Sequence, residues 1–326
     1  VAHLIKLEDY SSRYQYDMNR YPSQFTRMKR ERWYYVKSQW QQQQVENKRE
    51  HQMNDEVEDD WFEEQSNIFS QALNRVRAFY QKRTSPFERE ADLVVKETSS
   101  EANLPPTLEA LREHFLEEIF QSQLRWASSS LVDVSTLHPR YQYDEWLRFF
   151  ALRLPDNYFL MYKPVFFIKN APIELEIMLI SPTELSCITI LEGQEHSVFE
   201  ATSERFWIEY VDKTRKKRLS PFVSLGHMTG VVSQLMKDAN LSFPIRKVVL
   251  APMSVIDNKV QGAKVDFVDK RNFQAWHEKL QRHPSPLKKD QVLTAQALLK
   301  HCHIVASSRE EADEESSGAD RENPLN

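Results

Sequence analysis

Two periods of apolar residues divide the chain. Up to about residue 155 the spacing is helical. Phe25, Met28, Val36 and Trp40 fall near one face of a segment that opens at Pro22-Ser23, with Arg and Lys on the other. The period returns at Phe62, Phe69, Leu73, Val76 and Tyr80. It returns again after Thr107, whose hydroxyl suits an N-cap, in a helix carrying Leu108, Leu111, Phe115, Ile119 and Phe120. A shorter helix holds Trp146, Leu147, Phe150 and Leu152. Residues 41–60 are polar and almost free of aliphatics, which predicts a solvated helical extension or loop.

After Pro155 the runs become short, apolar and β-rich. Residues 158–169, 173–181 and 185–191 read as strands, and 197–201 with 205–211 as a hairpin around Thr202-Ser203. Ser220-Pro221 opens a helix to about Asn240, with Leu225, Met228, Val232, Leu235 and Met236 facing inward. Residues 245–251 form a buried-type strand and 265–268 another. Asn272 then caps a helix with Phe273, Trp276 and Leu280, and a last helix begins near Leu287. This order predicts a three-layer mixed α/β domain over 156–306, preceded by a helical region over 1–155. The acidic, serine-rich tail 307–326 is expected to be disordered.

Composition excludes several functions. Five glycines stand where about 20 are usual for this length, and neither GxGxxG nor GxxxxGK[ST] occurs, so no nucleotide cofactor is expected. Two cysteines, Cys187 and Cys302, make no disulfide framework or CxxC site, which suits a reducing cytoplasm. No apolar run is long enough for a bilayer, so no membrane is expected; the longest, 158–168, is broken by Lys163 and Pro164. The net charge of −5 is unevenly spread: 151–306 holds 21 Lys+Arg against 16 Asp+Glu, and 307–326 holds 2 against 7. A mildly basic domain thus lies between acidic segments.

The hairpin segments ELEIMLISP and LSCITILEG, then SPFVSLGHMTGVVSQLM, then IRKVVLAPMS, resemble the nuclease-related (NERD) domain of the PD-(D/E)XK group. The N-terminal LIKLEDYSSRYQYDMNRYPSQFTRMKRERW is similar to the helical front half of such proteins from bacilli. The resemblance implies a bacterial protein with a restriction-endonuclease-like mixed sheet flanked by helices. It also implies two carboxylates on a hairpin that hold Mg²⁺, with a lysine two positions after the second. The family's Asp position falls on Glu176, which makes Glu176 the candidate metal ligand. Its E-x-K falls on Thr189 and Leu191, and its helix Gln near Ser224. The motif is therefore degenerate, and a DNA- or protein-binding relative without nuclease activity is expected.

Two alternatives stay open. In the first the acids have migrated: Glu174, Glu176 and Glu192 (or Glu195) would be catalytic, with Lys169 or Lys237 as the cation, and Mg²⁺ as cofactor. In the second the long helices recruit a partner protein. The densest basic run, Lys213 with Arg215, Lys216, Lys217 and Arg218, reads as a loop that could contact DNA phosphates. Arg27, Lys29, Arg30 and Arg32 beside Trp33, Tyr34 and Tyr35 are expected to pack against a partner helix. His301-Cys302-His303 reads as a helix end and Cys187 as a buried core residue. Gly226 and Gly230, one turn apart, are expected to allow close packing on a sheet.

Overall fold

The structure, a computed structural model, describes residues 1–53, 104–260, 262 and 264–308, without the side chains of 46–53. The expected helix at 62–80, part of the polar stretch (54–60) and the tail from 309 lie outside these. The chain forms two compact units, Val1–Met28 with Phe120–Asn326, and Lys29–Ile119.

The larger unit is built on six strands: β1 (His3–Leu7), β3 (Phe159–Tyr162), β6 (Ile177–Ile180), β7 (Leu185–Ile190), β11 (Ile245–Ala251) and β13 (Asp266–Asp269), hydrogen-bonded in that order. β6 alone runs against the others, being antiparallel to both β3 and β7, while the remaining pairs are parallel. Sheets of mainly parallel strands are buried on both faces. Here Leu160, Leu179, Ile188, Val248 and Leu250 join a core with Leu147 and Phe150 of α5 (Glu145–Arg153) and, at its margin, Phe273 and Trp276 of α7 (Phe273–Gln281). On the other face α6 (Pro221–Asp238) packs on β7 and β11, burying Leu225, Met228, Val232, Leu235 and Met236 as their spacing predicts. α8 (Lys289–Leu299) packs on α6. A mixed α/β fold with a helical region in its N-terminal part is thus present.

The first residues differ from expectation. HLIKL enters the sheet as the edge strand β1, although its neighbours in sequence are helical. Its outer edge is covered: the Leu4 amide donates to Gln123 Oε1 on α3 (Leu108–Ser128) at 3.2 Å. The register slips between Leu4 and Lys6, which is a β-bulge at Ile5. Lys6 is fully buried and donates to Tyr10 O (2.6 Å), Gln15 Oε1 (3.2 Å) and His303 O (3.0 Å). Three donors meet three acceptors, so one ammonium ties both ends of the described chain together. Gln15 lies on α1 (Arg13–Tyr16), which Ser12 caps.

The run 158–169 splits at Lys163-Pro164 into β3 and β4 (Val165–Ile168), and 173–181 splits into β5 (Ala171–Glu174) and β6. β4 and β5 form their own hairpin around Lys169 and Asn170, both with positive φ. A second sheet has the order β10 (Thr214–Leu219), β9 (Phe206–Val211), β8 (Val198–Ala201), β12 (Val255–Asn258). A small two-stranded sheet joins β14 (Ser307–Ser308) to β2 (Asp133–Val134), and the short helix α4 (Arg140–Tyr143) follows β2 in the chain. Gly226 and Gly230 are exposed, and a Cβ on either would meet nothing within 4 Å, so the close packing expected of them is absent. Gly193 carries that constraint instead: its Cβ would lie 2.3 Å from Ser254 Oγ and 2.5 Å from Ser197 Oγ.

In the smaller unit, Thr107 Oγ1 accepts from the Ala110 amide at 3.2 Å, as an N-cap does. Arg32 on α2 (Tyr21–Met53) forks onto Glu118 at 2.8 and 2.9 Å, and Trp33 packs on Phe115 at 5.0 Å between ring centroids. This is the helix-to-helix packing expected of that basic-aromatic stretch.

Burial lowers the Lys6 ammonium from 10.5 to about 8, against the opposing pull of Cys302 and Asp9. The unfolded chain then binds more protons than the folded one from pH 8 upward, so folding stability rises with pH in that range. The buried Cys187 and Cys302 thiols, pushed up to about 12, act oppositely only above pH 9. Thermal melts at pH 8 and 9 should show the natural protein gaining stability over Lys6→Met; parallel melting temperatures would contradict the assignment.

Candidate active site at the carboxyl ends of the strands

All strands but β6 point the same way, so their carboxyl ends meet the start of β6 at one end of the sheet. Such ends are where open α/β sheets place ligands. The register there is explicit. Tyr162 pairs with Ile177 and Ile177 with Ile188, so the next row sets Lys163, Glu176 and Thr189 side by side on three neighbouring strands. The Lys163 amide donates to Glu176 O at 2.7 Å, which fixes that row.

Glu176 lies on the face covered by α6, half-buried, and Ser224 in the first part of that helix donates its hydroxyl to Oε1. Ser220 caps the helix, its Oγ accepting from the Phe222 amide, with Pro221 following at the first helical position. Thr189 is 6% exposed and its hydroxyl makes no well-formed hydrogen bond, although it stands beside the carboxyl. Burial raises the Glu176 pKa above 4.5. Ser224, Thr189, the Ile190 amide and the Lys163 charge all pull it back, yet burial prevails. Leu191, at the position where the resemblance led a lysine to be expected, is half-buried and donates its amide to Leu250 O at 2.8 Å.

The other proposed acids do not join this group. Glu174 belongs to the separate β4–β5 hairpin and is exposed, paired in register with Val165. The expectation that Glu174 and Glu176 share one strand face therefore fails, because the strand breaks between them. Glu192 follows Ile188 and Ile190 in alternation, on the opposite face from Thr189. Its charge is felt by Tyr162, whose hydroxyl donates to Asp144 Oδ1 at 2.7 Å. Glu195 is exposed beside His196. Lys237 is 13 residues beyond Ser224 along α6, about 20 Å away at the helical rise. Lys169 sits in the β4–β5 turn. The cation whose charge reaches Glu176 is Lys163, which makes no ion pair with it and sets its Nζ over the Tyr162 ring at 5.4 Å; the motif order could not reveal it because it precedes the hairpin. Its mark in the sequence is the Lys-Pro pair interrupting an apolar run.

A hard divalent cation needs several oxygen ligands, ordinarily carboxylates. This group offers one carboxyl, one of whose oxygens accepts from Ser224, with a lysine alongside. Among the described residues no group of three or more His, Cys, Asp or Glu side chains is placed to hold a metal ion. The donor set does not fit Mg²⁺. What the arrangement does chemically is brace the hairpin against α6 through a carboxyl that holds its proton more tightly than usual.

The basic run is not a loop. Residues 214–219 form β10, an edge strand exposed along its whole length, and Lys213 lies in the tight turn before it. Charged side chains on a bare edge discourage pairing with other sheets. Arg218 is committed within the fold: its Nε donates to Glu209 Oε2 at 2.7 Å, and Glu209 is fully buried. Burial pushes the Glu209 pKa up, but Arg218 and the Gln194 amide outweigh it and the net shift is downward. Arg215 stacks over Tyr210 at 5.4 Å. Lys213 and Lys217 have no ion-pair partner among the described residues. His301-Cys302-His303 follows the end of α8; Cys302 is buried and His303 stacks on Phe167 at 5.5 Å.

No helix among the described residues is long and apolar enough to cross a membrane. Comparison of the chain with protein-family models, curated proteins and solved structures finds no match.

Because the folded Glu176 pKa is raised, its contribution to stability is full below pH 4.5 and is lost as pH climbs through the folded value. Glu176→Gln should match the natural protein near pH 4 and become relatively more stable toward pH 7. Glu176→Ala, which leaves Ser224 without its acceptor, should cost about 1–3 kcal/mol in denaturant titrations at pH 4. A Gln variant that tracks the natural protein across the range would refute the buried-carboxyl reading.

Proposed function

We propose that the chain is a NERD-like relative of the PD-(D/E)XK nucleases that binds nucleic acid without cutting it. The reading is carried by one observation: Glu176, at the position the resemblance assigns to Asp, faces Thr189 across the hairpin where a second acid would stand. The order hairpin β6–β7, helix α6 opening with Pro221, strand β11 supports descent from a restriction-endonuclease-like core. A threonine cannot supply the second negative charge, and Leu191 cannot position or deprotonate a water. Binding is assigned to the exposed β10 edge, where Lys213, Lys216 and Lys217 offer charge to phosphates and DNA is the partner favoured. Two buried thiols suit a cytoplasmic protein.

Two measurements test this. Plasmid incubated with the protein and Mg²⁺ or Mn²⁺ should stay supercoiled, while the same DNA shifts in gels at low salt. Metal-dependent nicking abolished by Glu176→Ala would overturn the reading in favour of an active nuclease with rearranged acids. A DNA complex lost on replacing Lys213, Lys216 and Lys217 by Ala is expected; no shift at any salt would leave the partner-protein alternative. Arg218→Ala is a poor probe, since it strands the buried Glu209 and should destabilise the fold by about 2 kcal/mol.

A further inference from the structure

We infer that the outer face of the four-stranded sheet takes single-stranded nucleic acid, an inference that rests on the nucleic-acid reading above and narrows it. Side chains alternate along β9. Trp207 and Glu209 are fully buried, so Phe206, Ile208 and Tyr210 face outward. Their partners in register on β10 are Leu219, Lys217 and Arg215, which share that face. Phe206 is 47% exposed and Leu219 53%, an apolar patch at one end of a basic strand. Arg205 lies 5.9 Å from the Phe206 ring and Arg215 stands over Tyr210. The acids on this face are Glu200, which takes the Tyr210 hydroxyl at 2.7 Å and Lys259 at 2.6 Å, and Asp257 beside it, 3.8 Å from the same lysine.

The charge and the rings are interleaved in a way that suits unpaired bases. Lys217 and Arg215 are two residues apart, about 6.8 Å along the strand, close to the step between successive phosphates of an extended chain. Exposed aromatic faces bind by stacking, which a duplex with its bases already paired does not offer. The strand edge also has free backbone groups. The Ser220 amide donates to Arg205 O at 2.9 Å, so Thr214, Lys216 and Arg218 bond inward and the amides of Arg215 and Lys217 point away from β9. That edge could pair with an acidic peptide strand; the ring at Phe206, beside Lys217 and Arg215, favours a nucleic acid.

Fluorescence anisotropy on the full chain tests the inference, with a labelled oligothymidylate of about 15 nucleotides and a duplex of equal length. The single strand should bind more tightly. Phe206→Ala should weaken it about tenfold, Phe206→Trp should retain it, and the duplex should respond to neither. Replacing Arg215 and Lys217 by Ala should lower the salt slope by about 0.7 per lost phosphate contact. Equal or tighter duplex binding, or an unaffected Phe206→Ala variant, would overturn the single-strand inference while leaving nucleic-acid binding intact. Binding of an oligoglutamate peptide with no binding of either oligonucleotide would overturn both readings.

Discussion

The central strands β3 and β6 are buried throughout, and β7 and the second half of β11 lie between the helix α6 and the core on the other face, so an unpartnered polar side chain there would lose water at a cost. The sequence obeys this along β3, β6 and the second half of β11, which are apolar throughout. Polarity is confined to strand ends, and the single reversed strand decides which ends meet. Because β6 runs against its neighbours, its first residues lie beside the last residues of β3 and β7. That is how Lys163, Glu176 and Thr189 form one row although they are far apart in sequence.

The row also sets the chemistry available at this end of the sheet, where one carboxyl stands opposite a threonine. One carboxyl among hydroxyls and a lysine is best served by hydrogen bonds, and Ser224 supplies one from the helix above it. The same residue types at the other end of the function are used differently. On β10 the cations lie on an open edge. There only Arg218 is drawn into the fold, because Glu209 is buried and needs a counter-charge.

Lys6 shows a similar economy at the β1 edge. A bulge aims its ammonium into the protein, where three carbonyl-type oxygens from separate segments receive it. The cost of burial is visible in its lowered pKa, and the return is that the N-terminal strand, the first turn and the chain after α8 are held as one structure.

Periodicity made α5, α6 and α7 legible, and with them β6, β7 and β11, because each depends on local spacing; Ser220 caps α6 as expected, whereas Asn272 precedes α7 without a side-chain cap and turns its Oδ1 to the Asp269 amide. It missed β1, since five apolar-basic residues among helices carry no period of their own, and it took β10 for a loop because an exposed charged strand has no buried face to betray it. It put Glu174 beside Glu176, since alternation cannot foresee a strand break. The sequence by itself determined the α/β order, the apolar strands and which residues, Glu176, Thr189 and Leu191, the hairpin carries. Only the tertiary structure decided that the Lys163 backbone lies beside Glu176 and that Glu192 lies on the face opposite Thr189. It alone committed Arg218 to Glu209. Strand register and burial are set by contacts between distant segments, and no local spacing encodes them.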